Sequence, residues 1–124
     1  YGLRSGAVAT SVAHDSHNII CVGANDEDMA FAVNRIAQNH GGIVVVENGQ
    51  VLAELPLEIA GIISGKPLRE VNTLLEDAKK AAHSLGVGTD IDPFMTLSFM
   101  SLPVIPTLRL TTRGVVDVNT QQYV

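Results

Sequence analysis

The sequence predicts an α+β fold, a mixed and largely antiparallel sheet with two amphipathic helices packed on it, in one domain over residues 1–124. Three observations predict it. The elements follow in the order strand, strand, helix, hairpin, helix, hairpin; an Asn-Gly pair divides two strand-like runs; and two segments carry apolar residues at helical spacing.

Residues 7–12 alternate small and β-branched side chains and residues 18–22 form a continuous apolar run, so both read as strands. Asn25 can cap a helix whose first turn holds Asp26, Glu27 and Asp28, where negative charge suits the positive end of the helix dipole. Met29, Val33, Ile36 and Ala37 recur along it, and Gly41-Gly42 stops it. Two strands, 43–47 and 51–55, flank Asn48-Gly49, the preferred centre of a type I′ turn because both positions need positive φ. Pro67 suits the first position of a second helix, with an apolar stripe of Leu68, Val71, Leu74, Leu75, Ala78, Ala82 and Leu85 that ends at Gly86. A loop at 86–92 leads to a short apolar segment, 94–102, which Pro93 opens and Pro103 and Pro106 close. Leu108-Arg109-Leu110 and Val115-Val116-Asp117-Val118 form a last hairpin.

At 124 residues the chain can bury one core, and 46% hydrophobic with 17% charged residues suits a globular domain rather than a disordered one. A net charge of −5 with scattered Lys and Arg offers no footprint for nucleic acid. No apolar run approaches the roughly 20 residues that cross a bilayer, so a cytoplasmic protein without membrane contact is expected. Cys21, the single cysteine, lies in the run Ile19-Ile20-Cys21-Val22 and is expected in the core, neither ligand nor nucleophile.

The densest polar cluster is His14-Asp15-Ser16-His17-Asn18, set between apolar strands. A carboxylate beside an imidazole can orient a general base or hold a polar substrate edge, because His titrates near neutral pH. The same residues equally suit a polar turn whose side chains cap backbone groups. His40 and His83 stand near predicted helix C-termini, where a cationic side chain complements the dipole. The H-x-E and P-C-x-x-C signature of zinc nucleobase deaminases needs more than one cysteine and is excluded. Neither Gly41-Gly42 nor Gly86-Val87-Gly88 matches a phosphate-binding loop.

Taken together, the run 11–20, then Gly23 with Asn25-Asp26-Glu27-Asp28-Met29, Gly41-Gly42, Leu55-Pro56-Leu57, Ile59-Ala60-Gly61, the run 92–99 and Leu102-Pro103-Val104-Ile105-Pro106 resemble the C-terminal domain of adenine deaminases over nearly the whole chain. The resemblance implies an enzyme that hydrolyses adenine to hypoxanthine and ammonia with a metal-activated water, commonly with manganese or iron. It implies that the metal ligands, opened by a His-x-His pair, lie in an N-terminal amidohydrolase barrel of the same polypeptide. No His-x-His occurs in this chain, so no metal ligand and no cofactor are expected within it, and the chain alone is expected to be inactive. The partners implied are that barrel, adenine and further copies of the enzyme. The role implied is to close over the barrel mouth, with His14, Asp15 and His17 supporting catalysis and Ser16, Met95 and Ser98 contacting substrate. A domain that is purely structural or oligomerising, with no substrate contact, is the alternative. The apolar stretch 94–102 is expected to stay partly exposed, turned toward the barrel.

Overall fold

The computed structural model describes residues 1–124. In chain order it contains β1 (Ala7–Thr10), β2 (Ile20–Gly23), α1 (Asp26–Gln38), β3 (Gly42–Glu47), β4 (Gln50–Pro56), α2 (Leu68–Ser84), α3 (Pro93–Ser98), β5 (Leu108–Thr111), β6 (Gly114–Asp117) and β7 (Gln122–Tyr123). The expected α+β class holds. Four strands form the main sheet in the order β2-β1-β3-β4, and β5-β6-β7 form a second, smaller one. Every neighbouring pair is antiparallel. Because β2 and β3 both pair with β1 in this sense, they run parallel to each other, and α1 makes the crossover between them.

Helices cover both faces of the main sheet. All four side chains of β1 are fully buried, and their alternation divides them between two layers. Ala7 and Ala9 join Val44 and Val46 of β3 beneath Ala32 and Ile36 of α1. Val8 packs on the opposite face with Ile43, Val45, Leu55, Ala78, Ala82, Leu85, Phe94 and Leu97, under α2 and α3. The small residues of β1 let α1 approach closely, and burying a valine such as Val8 stabilises by about 1.5–3 kcal/mol.

The far end of this sheet is held by one carboxylate. Asn25 caps α1 by accepting from the Asp28 N–H at 2.8 Å, and its amide donates back to the Asp28 carboxylate at 3.0 Å. That carboxylate also accepts from Asn48 N–H at 3.2 Å and Gly49 N–H at 2.9 Å, in the β3–β4 turn, where both residues have positive φ as a type I′ turn requires. Asp28 therefore ties the start of α1 to the hairpin beside it.

Several boundaries differ from expectation. β1 ends at Thr10 rather than residue 12, because Val12 N–H turns to the Thr10 hydroxyl and leaves the ladder. β2 starts at Ile20, two residues late, after the polar loop closes on itself. Pro67 precedes α2 instead of opening it, with the extended ψ of 147°. The buried line of α1 is Asp28, Ala32 and Ile36, while Ala37 is exposed. Leu68, assigned to the α2 stripe, is largely in solvent, and β7 was not anticipated. Cys21 is half-buried at the margin of the α1 layer rather than in the core, and burial pushes its thiol up to about 11.

Asp28→Ala is expected to lower the unfolding free energy of this chain by roughly 2–4 kcal/mol in urea titration, since bonds to an ionised acceptor contribute about 1.5–3 kcal/mol each. The Asn25 amide first, and the Gly49 N–H next, hold the Asp28 carboxyl below its ordinary range. Its contribution is thus complete above the unfolded value of about 3.9 and is lost as pH falls through the lower folded value. In Asp28→Ala that portion of the acid dependence should vanish.

Candidate functional site

The opposite end of the sheet gathers the motifs that the sequence scatters. Ser11 follows β1, and its buried hydroxyl accepts from Gly42 N–H at 2.7 Å while donating to the Gly61 carbonyl at 2.5 Å. This one side chain joins the β1–β2 loop, the start of β3 and the β4–α2 connection. Gly41 and Gly42 do more here than end a helix. At φ values of 122° and 134° they occupy a region unfavourable to L side chains, and a Cβ on Gly41 would lie 2.9 Å from the Leu57 carbonyl oxygen. Their absence of side chains lets the β4–α2 connection lie against the sheet end.

Three residues beyond Ser11, His14 N–H donates to the Ser98 carbonyl at 3.2 Å, so the same loop is tied to the end of α3. The loop closes through His17 N–H to the Ala13 carbonyl at 2.6 Å and through a bond from the Ser16 hydroxyl to the Asn18 side-chain oxygen. His17 has φ 49°, and this turn leaves Asp15, Ser16 and His17 exposed. The His14 ring stacks on Phe99, with centroids 5.1 Å apart and planes at 29°, and meets the His17 ring edge-on at 6.0 Å. Asp15 bonds to neither imidazole. Phe99 is the neighbour that orients His14, a pairing across 85 positions that no local spacing announces.

α3 is itself held firmly. Asp92 caps it by accepting from Phe94 N–H at 3.0 Å and Met95 N–H at 2.9 Å, and pairs with Lys79 of α2 at 3.1 Å. Burial opposes the charge of Asp92, but the Met95 N–H and the Lys79 ammonium outweigh it and keep the carboxyl below its ordinary range. The helix period splits the segment 94–102 between core and solvent: Phe94 and Leu97 are buried, whereas Met95 (53% exposed), Phe99 (37%) and Met100 (45%) face outward.

A cavity of about 400 Å³ lies between the polar loop and the C-terminal sheet, lined by Asp15, Ser16 and Asn18 on one side and by Ser101, Leu102 and Thr112 among others on the other. Of the residues assigned to the site, Asp15 and Ser16 line it together. Met95 lies on the outer face of α3, away from that lining. Ser98 is 2% exposed and gives its hydroxyl to the Met95 carbonyl at 2.8 Å, so its place is to support α3 and the loop. His83 bonds through Nδ1 to the Val87 carbonyl at 3.1 Å, which absorbs it into the end of α2, and His40 is exposed beyond α1.

No group of three or more His, Cys, Asp or Glu side chains converges as a metal site would require. His14 and His17, the closest pair of imidazoles, have no third ligand, and one ring is covered by Phe99. The residues of this chain do not fit the manganese or iron that the resemblance implies.

These features define a class: an α+β domain that presents imidazoles and a carboxylate on one anchored loop, with no converging set of three metal-ligand side chains. The chain belongs to the adenine deaminase C-terminal domain family, whose model matches residues 1–122. Among similar proteins, the adenine deaminase of Nitratidesulfovibrio vulgaris is 54% identical over 99% of this chain, which covers 22% of that protein. Those of Geobacillus kaustophilus and Brucella abortus are 46% and 50% identical over all of this chain, covering 22% and 21% of their lengths. The chain thus spans about a fifth of the length of the curated relatives it matches.

Ser11→Ala should leave the buried Gly42 N–H without its acceptor and free the β4–α2 connection. An unsatisfied buried donor costs about 1–3 kcal/mol, and a loss of that size is expected in chemical denaturation. A change below about 0.5 kcal/mol, the usual range for surface substitutions, would remove Ser11 from its anchoring role.

Proposed function

We propose that this chain is the part of an adenine deaminase that closes over the active site, with the loop of His14, Asp15, Ser16 and His17 turned toward the substrate. One observation carries the reading. Motifs as far apart in sequence as Ser11, Gly41, Gly61 and Ser98 meet at one end of the sheet, and the loop they anchor exposes its polar side chains beside the outward Met95, Phe99 and Met100. A polar loop fixed at both ends and flanked by apolar surface is suited to closing a cleft while excluding water from it.

The reaction of the whole enzyme is the hydrolysis of adenine to hypoxanthine and ammonia. Manganese or iron, held by the N-terminal barrel, supplies the activated water when bound. What this chain contributes is proton handling and hydrogen bonding. An imidazole at His14 or His17 can donate to a purine nitrogen or hold a proton for the departing amine, and Phe99 keeps the His14 ring in place for that. Asp15 and Ser16, together at the cavity wall, offer an acceptor and a hydroxyl to the exocyclic edge. Met95 supplies apolar cover, and Ser98 acts from behind by holding the His14 backbone. We assign the enzyme to cytoplasmic purine metabolism and expect it to assemble as a homo-oligomer.

Kinetics on the full enzyme with His14→Asn, Asp15→Asn and His17→Asn test the reading. Loss of an interaction made in the transition state should lower kcat by roughly tenfold or more in at least one of them, with circular dichroism unchanged. Normal turnover in all three would leave the domain as a scaffold.

A further inference from the structure

A second apolar surface stands at the same end of the molecule, and neither the sequence motifs nor the polar loop accounts for it. In the β4–α2 connection, Ile59, Ile62 and Ile63 are 49%, 37% and 54% exposed, and Leu68 in the first turn of α2 is 83% exposed. Isoleucine is among the residues most often fully buried, so three exposed within five positions depart from ordinary surface composition. These side chains are not on a slack segment. Ile59 and Ile63 exchange backbone hydrogen bonds at 3.0 Å each way, and Ile62 N–H returns to the Ile59 carbonyl at 3.2 Å around Ala60 and Gly61, both at positive φ. Glu58 accepts from Gly65 N–H at 3.0 Å and closes the loop at its base. The turn is pinned to the sheet by Ser11 at the Gly61 carbonyl.

The apolar stripe of α2 is unsatisfied in the same region. Its C-terminal half, through Ala78, Ala82 and Leu85, is buried against the sheet, whereas Leu68 belongs to the same stripe and has no cover. A lone exposed leucine would be ordinary surface, but beside three exposed isoleucines it extends one apolar patch, the kind that marks an interaction surface.

We infer that the turn carrying Ile59, Ile62 and Ile63, continued by Leu68, is a docking surface for the remainder of the same polypeptide. The length of the relatives argues for this occupant: about four-fifths of each lies outside the region this chain matches, and the matched region is the C-terminal domain. Position argues for it as well. Ser11 holds the isoleucine turn, and His14, three residues on, holds the end of α3 with its exposed Met95, Phe99 and Met100. The polar loop is strung between two apolar patches, an arrangement of two anchors with the polar groups between them. This inference rests on family membership and on the turn itself; it holds whether or not the loop touches substrate.

Thiol accessibility in the full enzyme decides it. Ile62→Cys and Ile63→Cys are compared with Lys80→Cys on the solvent face of α2, by maleimide labelling followed by peptide mass spectrometry. If the surface is covered, the two isoleucine positions react roughly 100-fold more slowly than Lys80→Cys in the native enzyme, because a local opening must come first, and equally fast once unfolded. Equal rates in the native enzyme would overturn the inference. So would protection that disappears when an oligomer is diluted to monomers, which would assign the surface to a second copy. Hydroxyl-radical footprinting of the unsubstituted enzyme gives the same comparison should a variant fail to fold: strong modification of Ile59, Ile62 and Ile63 would refute docking, and their protection beside a modified Leu52 would support it. Normal turnover in the His14, Asp15 and His17 variants would leave this result untouched.

Discussion

The structure depends on a strand that has no solvent face. β1 lies inside the main sheet with all four side chains fully buried, so it needs a layer of helix on each side before it is stable. Its alternation of alanine with larger residues sets how those layers approach. On the alanine face α1 comes close through Ala32 and Ile36, and on the valine face the broader α2 and α3 layer fills the space. The parallel placement of β2 and β3 follows, because a crossover helix between them must pass over β1 on the alanine face.

The two ends of the sheet are closed differently. At one end a single carboxylate, Asp28, gathers the α1 start and the β3–β4 turn through three hydrogen bonds made within the domain. At the other end the ties are made by the Ser11 hydroxyl and by backbone groups, and they hold loops whose charged, imidazole and apolar side chains point away from the core. Anchoring through backbone and buried hydroxyl leaves those side chains free to meet something else. Rigid backbone with uncommitted side chains is what a contact surface requires.

Much of the fold was legible because local physics dominates it. The Asn25 cap, the acidic first turn of α1, the Asn48-Gly49 turn and the last hairpin are each decided within a few residues, and each stands where the pattern put it. Errors arose where a choice depended on distant neighbours. Pro67 is compatible with the first helical position, yet the chain enters α2 extended. Cys21 reads as core in an apolar run but lies on β2, an edge strand, where cover is incomplete. At the site, Asp15 is adjacent to two imidazoles in sequence and bonds to neither, while Phe99 reaches His14 from 85 positions away. Adjacency in the chain therefore did not translate into a hydrogen bond, because the turn of the loop and not the spacing decides which groups meet.

The sequence by itself determined the class of fold, the Asn25 cap, the Asn48-Gly49 turn, the family to which the chain belongs and the absence of a His-x-His pair. Those properties live in short-range pattern and composition, which every stretch of chain carries with it. Only the tertiary structure decided that the scattered motifs share one end of the sheet, that Ser98 faces inward while Met95 faces outward, and that Leu68 lacks the cover its stripe predicts. Each of these depends on the order β2-β1-β3-β4 and on where the helices lie across it. Helical period states that a residue belongs to an apolar face; whether anything lies opposite that face is settled only when the layers are packed.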